Sequence, residues 1–125
     1  MNYLAIFIGG GLGSLLRYIT TLAFTQTKLF GYTSGTFFSN ILASLLVGLF
    51  VGYFASKNID NTAFKSFIII GFCGGFSTFS TFALENYKFL ESNDFGSAIF
   101  YSLSSIIISV LAIYIGLKIS IQLLN

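Results

Sequence analysis

The stretch GFCGGFSTFSTFALE, residues 71–85, decides the fold because it lies within a long apolar run and yet interrupts it. Three glycines are followed by hydroxyl side chains that alternate with phenyl rings. Glycine costs a helix about 1 kcal/mol relative to alanine, and serine and threonine compete for backbone hydrogen bonds. We therefore expect a local break in a helix here. The hydroxyl residues are Ser77, Thr78, Ser80 and Thr81, and the rings belong to Phe76, Phe79 and Phe82.

The composition places this helix in a membrane. Of the 125 residues, 55% are hydrophobic and 8% are charged, whereas a soluble domain carries about 25% charged residues. A net charge of +2 is too small to indicate nucleic-acid binding. No lysine or arginine precedes the first apolar run, so we expect a retained helix and not a cleaved signal peptide. The single cysteine, Cys73, cannot form a disulfide within the chain.

Uncharged runs separated by short charged connections predict four membrane-spanning helices. A span needs roughly 20 mostly apolar residues, and the runs are too long for the strands of a membrane barrel. We expect an all-α integral membrane protein, with one four-helix domain over residues 1–125 and a third span that is broken near its middle. The predicted spans cover residues 3–24, 33–55, 65–90 and 96–122.

The basic residues are divided almost evenly between the two sides of the predicted bundle, although lysine and arginine asymmetry normally sets orientation. Two interpretations stay open: one fixed orientation with a weak signal, or insertion both ways up followed by antiparallel pairing. Four helices make a thin bundle, which favours a dimer. The residues are Lys57, Lys65 and Lys118 on one side, and Lys28, Lys88 and Arg17 on or near the other.

Small residues spaced four apart predict close contacts between helices. Such pairs let two backbones approach each other in lipid. They indicate packing and do not indicate a function. The pairs are Gly9 with Gly13, Gly48 with Gly52, and Gly71 with Gly75.

Polar side chains recur at helical spacing in the second and fourth spans. Thr36 and Asn40 are four residues apart and share a helix face. Tyr101, Ser105 and Ser109 form a stripe on an otherwise apolar helix. A serine or threonine in a membrane commonly bonds back to its own helix, so each residue alone is weak evidence. A stripe of three favours a polar pathway.

The rings and the break indicate two kinds of ion contact. Phe76, Phe79 and Phe82 recur every three residues, and the edge of a phenyl ring is positive. Ring edges beside Asn40 would attract an anion without a full charge, which suits a site that the ion must also leave. A core or lipid-facing stripe would show the same ring spacing. Carbonyl groups freed at the break need a cation, water or a facing side chain.

Two charged residues lie within or close to the spans. Arg17 lies about two-thirds along the first span, where it either extends to the lipid headgroups or lines a vestibule. Glu85 ends the broken segment. It either binds backbone groups at the break or marks the approach of the helix to water.

Three motifs together resemble the CrcB/Fluc family of fluoride channels: GGGLGSLLRY at 9–18, GTFFSN at 35–40 and GFCGGFSTFSTF at 71–82. The third motif is highly specific, and the resemblance covers the whole chain by length and layout. Two departures are modest. Ser77 stands where the family often has threonine, and Ala43 stands where it often has glycine. Neither removes a group that is expected to do chemistry.

The resemblance implies a passive, fluoride-selective channel of the bacterial plasma membrane that exports toxic fluoride from the cytoplasm. It implies an antiparallel, dual-topology dimer with two pores, in which the second subunit is another copy or a paralogous chain. The implied partners are therefore the fluoride ion, the lipid bilayer and the second subunit, and no nucleic acid.

The resemblance also implies roles for particular residues. Arg17 matches a vestibule arginine, and Glu85 matches an acidic residue expected to support the break. Gly74 and Ser77 match residues whose backbone carbonyls, two from each subunit, hold a structural Na⁺ at the dimer interface. The expected fluoride pore consists of Asn40, Phe79, Phe82, Thr36, Ser80, Tyr101, Ser105 and Ser109.

Two other functions compete with this hypothesis. A small multidrug-type, proton-coupled exporter needs a membrane-embedded carboxylate, and the first, second and fourth spans contain no aspartate or glutamate. A membrane scaffold without transport activity would tolerate replacement of the polar residues. We do not expect an enzyme, because the chain has no histidine and no pair of acids within the membrane.

Overall fold

The computed structural model describes residues 2–29 and 32–124. Within these ranges, four helical segments are long and apolar enough to cross a membrane, which confirms the predicted helical architecture. The predicted ends lie within three residues of the observed ones, the largest difference being 65 against 62. The first two helices are α1, Asn2–Ala23, and α2, Gly35–Ser56. The third span consists of α3, residues 62–76, and α4, Phe79–Glu91, and the fourth is α5, Phe95–Leu124.

A short hairpin lies between α1 and α2 and adds a small β element to the predicted helical fold. Strand β1, Lys28–Leu29, pairs antiparallel with β2, Tyr32–Thr33, and Lys28 lies opposite Thr33. A hydrogen bond connects the two residues that flank the hairpin: the Ser34 amide donates to the Thr27 carbonyl at 3.1 Å. Strands of two residues are too short to show a periodic pattern in the sequence.

The third span is interrupted at Ser77 and Thr78, as predicted. The backbone there is extended, with φ −74° and ψ 159° at Ser77 and φ −152° and ψ 119° at Thr78. Thr78 is the N-cap of α4, and its hydroxyl accepts a hydrogen bond from the Thr81 amide at 3.4 Å. A threonine in this position satisfies one of the amides left unpaired at a helix start.

Helix α3 departs from α-helical geometry before it reaches the break. It begins with an α-helical turn at Thr62–Lys65, widens into a π-helix at Ser66–Cys73 and ends with a short turn at Gly74–Phe76. π-Helical geometry is rare and often lies near functional sites. Nothing in the sequence predicted this widening, because its residues are ordinary apolar types.

Glycines bring helix backbones into contact at two seams. A Cβ atom added to Gly75 would lie 2.5 Å from the Gly10 carbonyl oxygen, so α3 touches α1 directly. A Cβ added to Gly48 would meet the Ile113 carbonyl oxygen, so α2 touches α5 in the same way. These contacts confirm the close packing predicted from the glycine spacing. Because backbone atoms cannot move aside as a side chain can, the first seam fixes α3 against α1 and the second fixes α2 against α5.

Candidate functional site

The side chain of Asn40, on α2, pairs with the backbone of Thr78 at the break. The Thr78 amide donates to Asn40 Oδ1 at 2.7 Å, and Asn40 Nδ2 donates to the Thr78 carbonyl at 3.2 Å. In a continuous helix the Thr78 amide would donate to the Gly74 carbonyl. Asn40 therefore replaces the helical partners of a residue that has left the helix.

The hydroxyl of Thr78 organises the first turn of α4. It donates to Thr81 Oγ1 at 3.2 Å and shares a hydrogen bond with Ser80 Oγ at 3.4 Å. Ser80 itself is exposed. The structure therefore places this predicted pore residue on the surface of the chain, beside the break.

Arg17 extends from α1 into the molecule. Its Nη1 atom donates to the Ser77 carbonyl at 3.1 Å, and the residue is half-buried. Of the two interpretations of Arg17, extension toward the headgroups does not fit this contact. One lone pair of the Ser77 carbonyl oxygen, a predicted Na⁺ ligand, is thus already engaged.

Glu85 joins three helices through its carboxylate. Thr36 Oγ1 on α2 donates to Oε1 at 2.8 Å, and the Tyr101 hydroxyl on α5 donates to Oε2 at 2.5 Å. Tyr101 is 4% exposed, so its hydroxyl is held by the surrounding core. Both oxygens of the carboxyl group have a donor, which offsets the cost of placing this polar group away from water. The hydrogen bonds at the break come from Asn40, Arg17 and Thr78 itself, and Glu85 lies farther along α4.

A cavity of about 280 Å³ opens beside the break, between α2, α4 and α5. The rings of Phe79 and Phe82 lie on one wall, with centroids 5.8 Å apart and planes inclined at 43°. Asn40 uses one amide hydrogen on Thr78, and its second remains available to a ligand. No lining residue is charged. The predicted pore residues that line this cavity are Asn40, Phe79, Phe82, Ser105 and Ser109.

A second, more polar cavity of about 430 Å³ lies on the other side of Thr78. Arg17, Thr36 and Glu85 line it, together with the hydroxyl residues Ser14, Thr21 and Thr81. The track predicted from Thr36, Tyr101, Ser105 and Ser109 is therefore divided. Its first two members bind Glu85, and its last two line the first cavity.

Three further polar residues, Asn86, Ser102 and Ser44, belong to the site and were not predicted as site residues. Asn86 Nδ2 donates to the Phe82 carbonyl at 3.0 Å, and Ser102 Oγ donates to Asn86 Oδ1 at 2.8 Å, so α4 is tied to α5 behind the Phe82 ring. Ser44 lines the first cavity. It is four residues beyond Asn40, as Asn40 is beyond Thr36, and this spacing was the available signal.

The fold and the site define a small multi-pass membrane protein built around an interrupted helix. Residues 4–117 match the model of the family described as CrcB-like protein, Camphor Resistance (CrcB). The chain belongs to this family. With four apolar helices and relatives from bacteria, it is a multi-pass protein of a bacterial membrane.

Individual relatives agree with the family match. The chain is 42% identical over 118 residues to the "Fluoride-specific ion channel FluC" of Flavobacterium psychrophilum, covering 94% of this chain and 95% of the relative. It is 40% identical to "Fluoride-specific ion channel FluC 1" of Nitrobacter hamburgensis, covering 93% and 92%. It is also 40% identical to "Fluoride-specific ion channel FluC" of Bacteroides fragilis, covering 89% of both chains.

Replacing Asn40 with aspartate tests the pairing at the break. In Asn40→Asp a carboxylate oxygen faces the Thr78 carbonyl, so a hydrogen bond is lost and a repulsive contact replaces it. We expect the purified variant to lose about 1–3 kcal/mol of stability, measured as a lower melting temperature in detergent. Asn58→Asp, in the exposed connection after α2, is the matched control and should melt with the unmodified protein. Equal melting of the two variants would contradict the role of Asn40.

Proposed function

We propose that this chain forms a passive, fluoride-specific channel that lets fluoride leave the bacterial cytoplasm, and that it is not an enzyme. The observation that carries the proposal is the cavity beside the break. Its lining offers an amide hydrogen, hydroxyl groups and phenyl rings, and contains no charged side chain. The printed name shared by the relatives supports fluoride as the ion.

The donors in the cavity suit an ion that must enter and leave. A small anion gives up part of its hydration shell only when other donors replace the lost water. Asn40 supplies an N–H group, and Phe79 and Phe82 supply positive ring edges. Binding without a full positive charge is weak enough to permit release.

A proton-coupled exporter is the weaker alternative. Such a protein needs a carboxylate that exchanges protons along the transport path. Both oxygens of Glu85 accept hydrogen bonds, one from Thr36 and one from Tyr101. The printed names of the relatives contain no exporter.

We infer that a second chain covers the break. Gly74, Ser80 and Thr81 are exposed near the middle of the third span, and the Phe79 ring is 78% exposed. Exposed hydroxyl groups and unpaired carbonyls are costly in lipid. A partner that presents its own broken span would cover these groups. Because both breaks lie near mid-span, they also meet in an antiparallel pair, which the nearly even distribution of basic residues permits. The partner is a second copy or a paralogous chain.

We further propose that a Na⁺ ion lies between the two breaks and is held by the Gly74 and Ser77 carbonyls of each chain. The Gly74 oxygen loses its helical partner because the Thr78 amide donates to Asn40. The Ser77 oxygen accepts from Arg17 and keeps a second lone pair. Both oxygens lie at the C-terminal end of α3, where the helix dipole is negative.

The donor set fits a hard cation. Carbonyl oxygens at the ends of interrupted helices are known ligands for Na⁺. Over residues 2–29 and 32–124, no group of three or more histidine, cysteine, aspartate or glutamate side chains could hold a metal ion. One chain offers two of the proposed four ligands, so this ion site requires the partner.

Fluoride efflux from liposomes tests the channel directly. Liposomes that contain the purified protein should release fluoride and retain most of their chloride. Phe79→Ile and Phe82→Ile should slow fluoride release by about tenfold or more, equivalent to about 1.4 kcal/mol in a barrier, because an aliphatic group has no positive edge. Phe7→Ile, on the exposed surface of α1, should keep the original rate. A protein that releases no fluoride and instead drives proton-dependent uptake of cationic dyes would be an exporter.

Cysteine labelling in cells tests the antiparallel pair. Asn58→Cys is made together with Cys73→Ser, so that the connection between α2 and α3 carries the one thiol. We expect an impermeant maleimide to label about half of the protein in intact cells, and the rest after permeabilisation, because the two orientations are equally favoured. The Cys73→Ser protein without the new cysteine should not be labelled. Complete labelling from one side would establish a fixed orientation.

The stability of the dimer should depend on Na⁺. Protein purified in N-methylglucamine buffer should melt at a higher temperature as Na⁺ is added. At a Na⁺ concentration 100 times the dissociation constant, the free energy of unfolding should be higher by about 2.7 kcal/mol. Added choline at the same ionic strength is the control. Equal melting in the two salts would contradict the proposed ion site.

A further inference from the structure

Two rows of polar residues, one on α2 and one on α5, face each other across the first cavity, and Ser44 lies in the row on α2. Thr36 on α2 and Tyr101 on α5 meet at Glu85. Farther along the two helices, Asn40, Ser44, Ser105 and Ser109 all line the cavity. On each helix these residues are four apart, so they share one face. The first pair, Thr36 and Tyr101, binds Glu85, and the last pair is Ser44 with Ser109.

The seam between α2 and α5 closes immediately after this last pair. A Cβ on Gly48 would meet the Ile113 carbonyl oxygen, and a Cβ on Gly116 would lie 2.9 Å from the Leu49 amide nitrogen. The lining of the cavity accordingly includes no residue of α2 beyond Ser44 and none of α5 beyond Ser109. Ser44 and Ser109 are therefore the last polar residues that an ion in the cavity meets on this side.

The cavity also contains a hydroxyl group that needs a partner. Ser105 is 6% exposed, and its Oγ atom makes no hydrogen bond to any part of the chain that the structure describes. The neighbouring Ser104 instead donates back to the Phe100 carbonyl at 2.6 Å. Leaving a buried hydroxyl unpaired is costly, so Ser105, which lines the cavity, gains a partner when its hydroxyl turns toward a bound ion. Ser39 is the other such hydroxyl in the described residues and does not line this cavity.

We propose that Ser44 is a further anion-contacting residue. With Ser109, and with Ser105 one helical turn before it, Ser44 forms a group of three hydroxyls that binds fluoride at the end of the cavity farther from Glu85. Each hydroxyl donates one hydrogen bond to the anion and replaces part of its hydration shell. The inference rests on the proposed channel function and adds a residue that neither the motifs nor the resemblance singled out.

A competing explanation is that Ser44 is present because it is small. The α2–α5 seam needs short side chains near Gly48, and serine would meet that need without touching an ion. Threonine and valine separate the two explanations, because they have nearly the same shape and only threonine keeps the hydroxyl.

The first test is fluoride efflux from liposomes with the full chain. We expect Ser44→Ala and Ser44→Val to slow efflux by about three- to tenfold, as expected for the loss of one hydrogen bond. Ser44→Thr should stay within about twofold of the original rate. Ser104→Ala is the matched control and should have no effect, because Ser104 bonds to its own helix. Original rates in both Ser44→Ala and Ser44→Val, or equal loss in Ser44→Thr and Ser44→Val, would overturn the proposal.

The second test does not depend on flux. In the Cys73→Ser background, Ser44→Cys should react with a small, water-soluble methanethiosulfonate, fluoride should slow the reaction, and Ser104→Cys should not react. If the original protein passes no fluoride, the channel proposal fails. The methanethiosulfonate reaction is then repeated with other halides to decide whether Ser44 contacts an anion. Protection by one of them keeps Ser44 as an anion contact, whereas protection by no anion, or no reaction at all, overturns it.

Discussion

Two hydrogen bonds between the side chain of Asn40 and the backbone of Thr78 hold the site together. Lipid offers no water to a backbone group that has left its helix, so a break within a span exists only where another part of the protein supplies both a donor and an acceptor. A carboxamide carries both. Because Asn40 pairs with the Thr78 amide and carbonyl at once, the third span can stop and start again. The freed Gly74 carbonyl and the position of the Phe79 ring follow from that interruption.

The two helices that carry this pairing are each packed tightly against another helix through glycines. Gly75 brings α3 against the backbone of α1, and Gly48 brings α2 against the backbone of α5. Neither contact can relax by a change of rotamer. Further side-chain ties at Glu85 and Asn86 connect α4 to its neighbours. The break therefore lies where these two tightly packed helix pairs meet.

The sequence was sufficient to predict the features that depend on neighbouring residues in the chain. Hydropathy predicted the four spans, and the mixture of glycine and hydroxyl residues predicted the break, which lies at Ser77 and Thr78. Glycine spacing predicted the close helix contacts. The sequence was insufficient where a residue's role depends on what it meets across the bundle. Thr36 and Asn40 share one face of α2, yet the first binds Glu85 and the second binds the Thr78 backbone.

The same limit explains the residues and elements that were missed. Spacing identifies the face that a residue occupies and leaves its partner open, so Ser44 did not stand out beside Asn40. The π-helix at Ser66–Cys73 has the composition of an ordinary apolar helix, and the hairpin before α2 is too short to carry a pattern. These features arise from tertiary packing and backbone geometry, to which a single sequence gives little access.

The order of Asn40 and Thr78 along the chain bears on how the protein is made. Synthesis proceeds from the N-terminus, so the helix that carries Asn40 leaves the ribosome before the broken span does. The carboxamide is consequently available when the interrupted segment arrives in the bilayer. With the opposite order, the exposed peptide groups would have to wait for their partner in a solvent that cannot satisfy them, and the nascent chain would be open to misassembly and degradation.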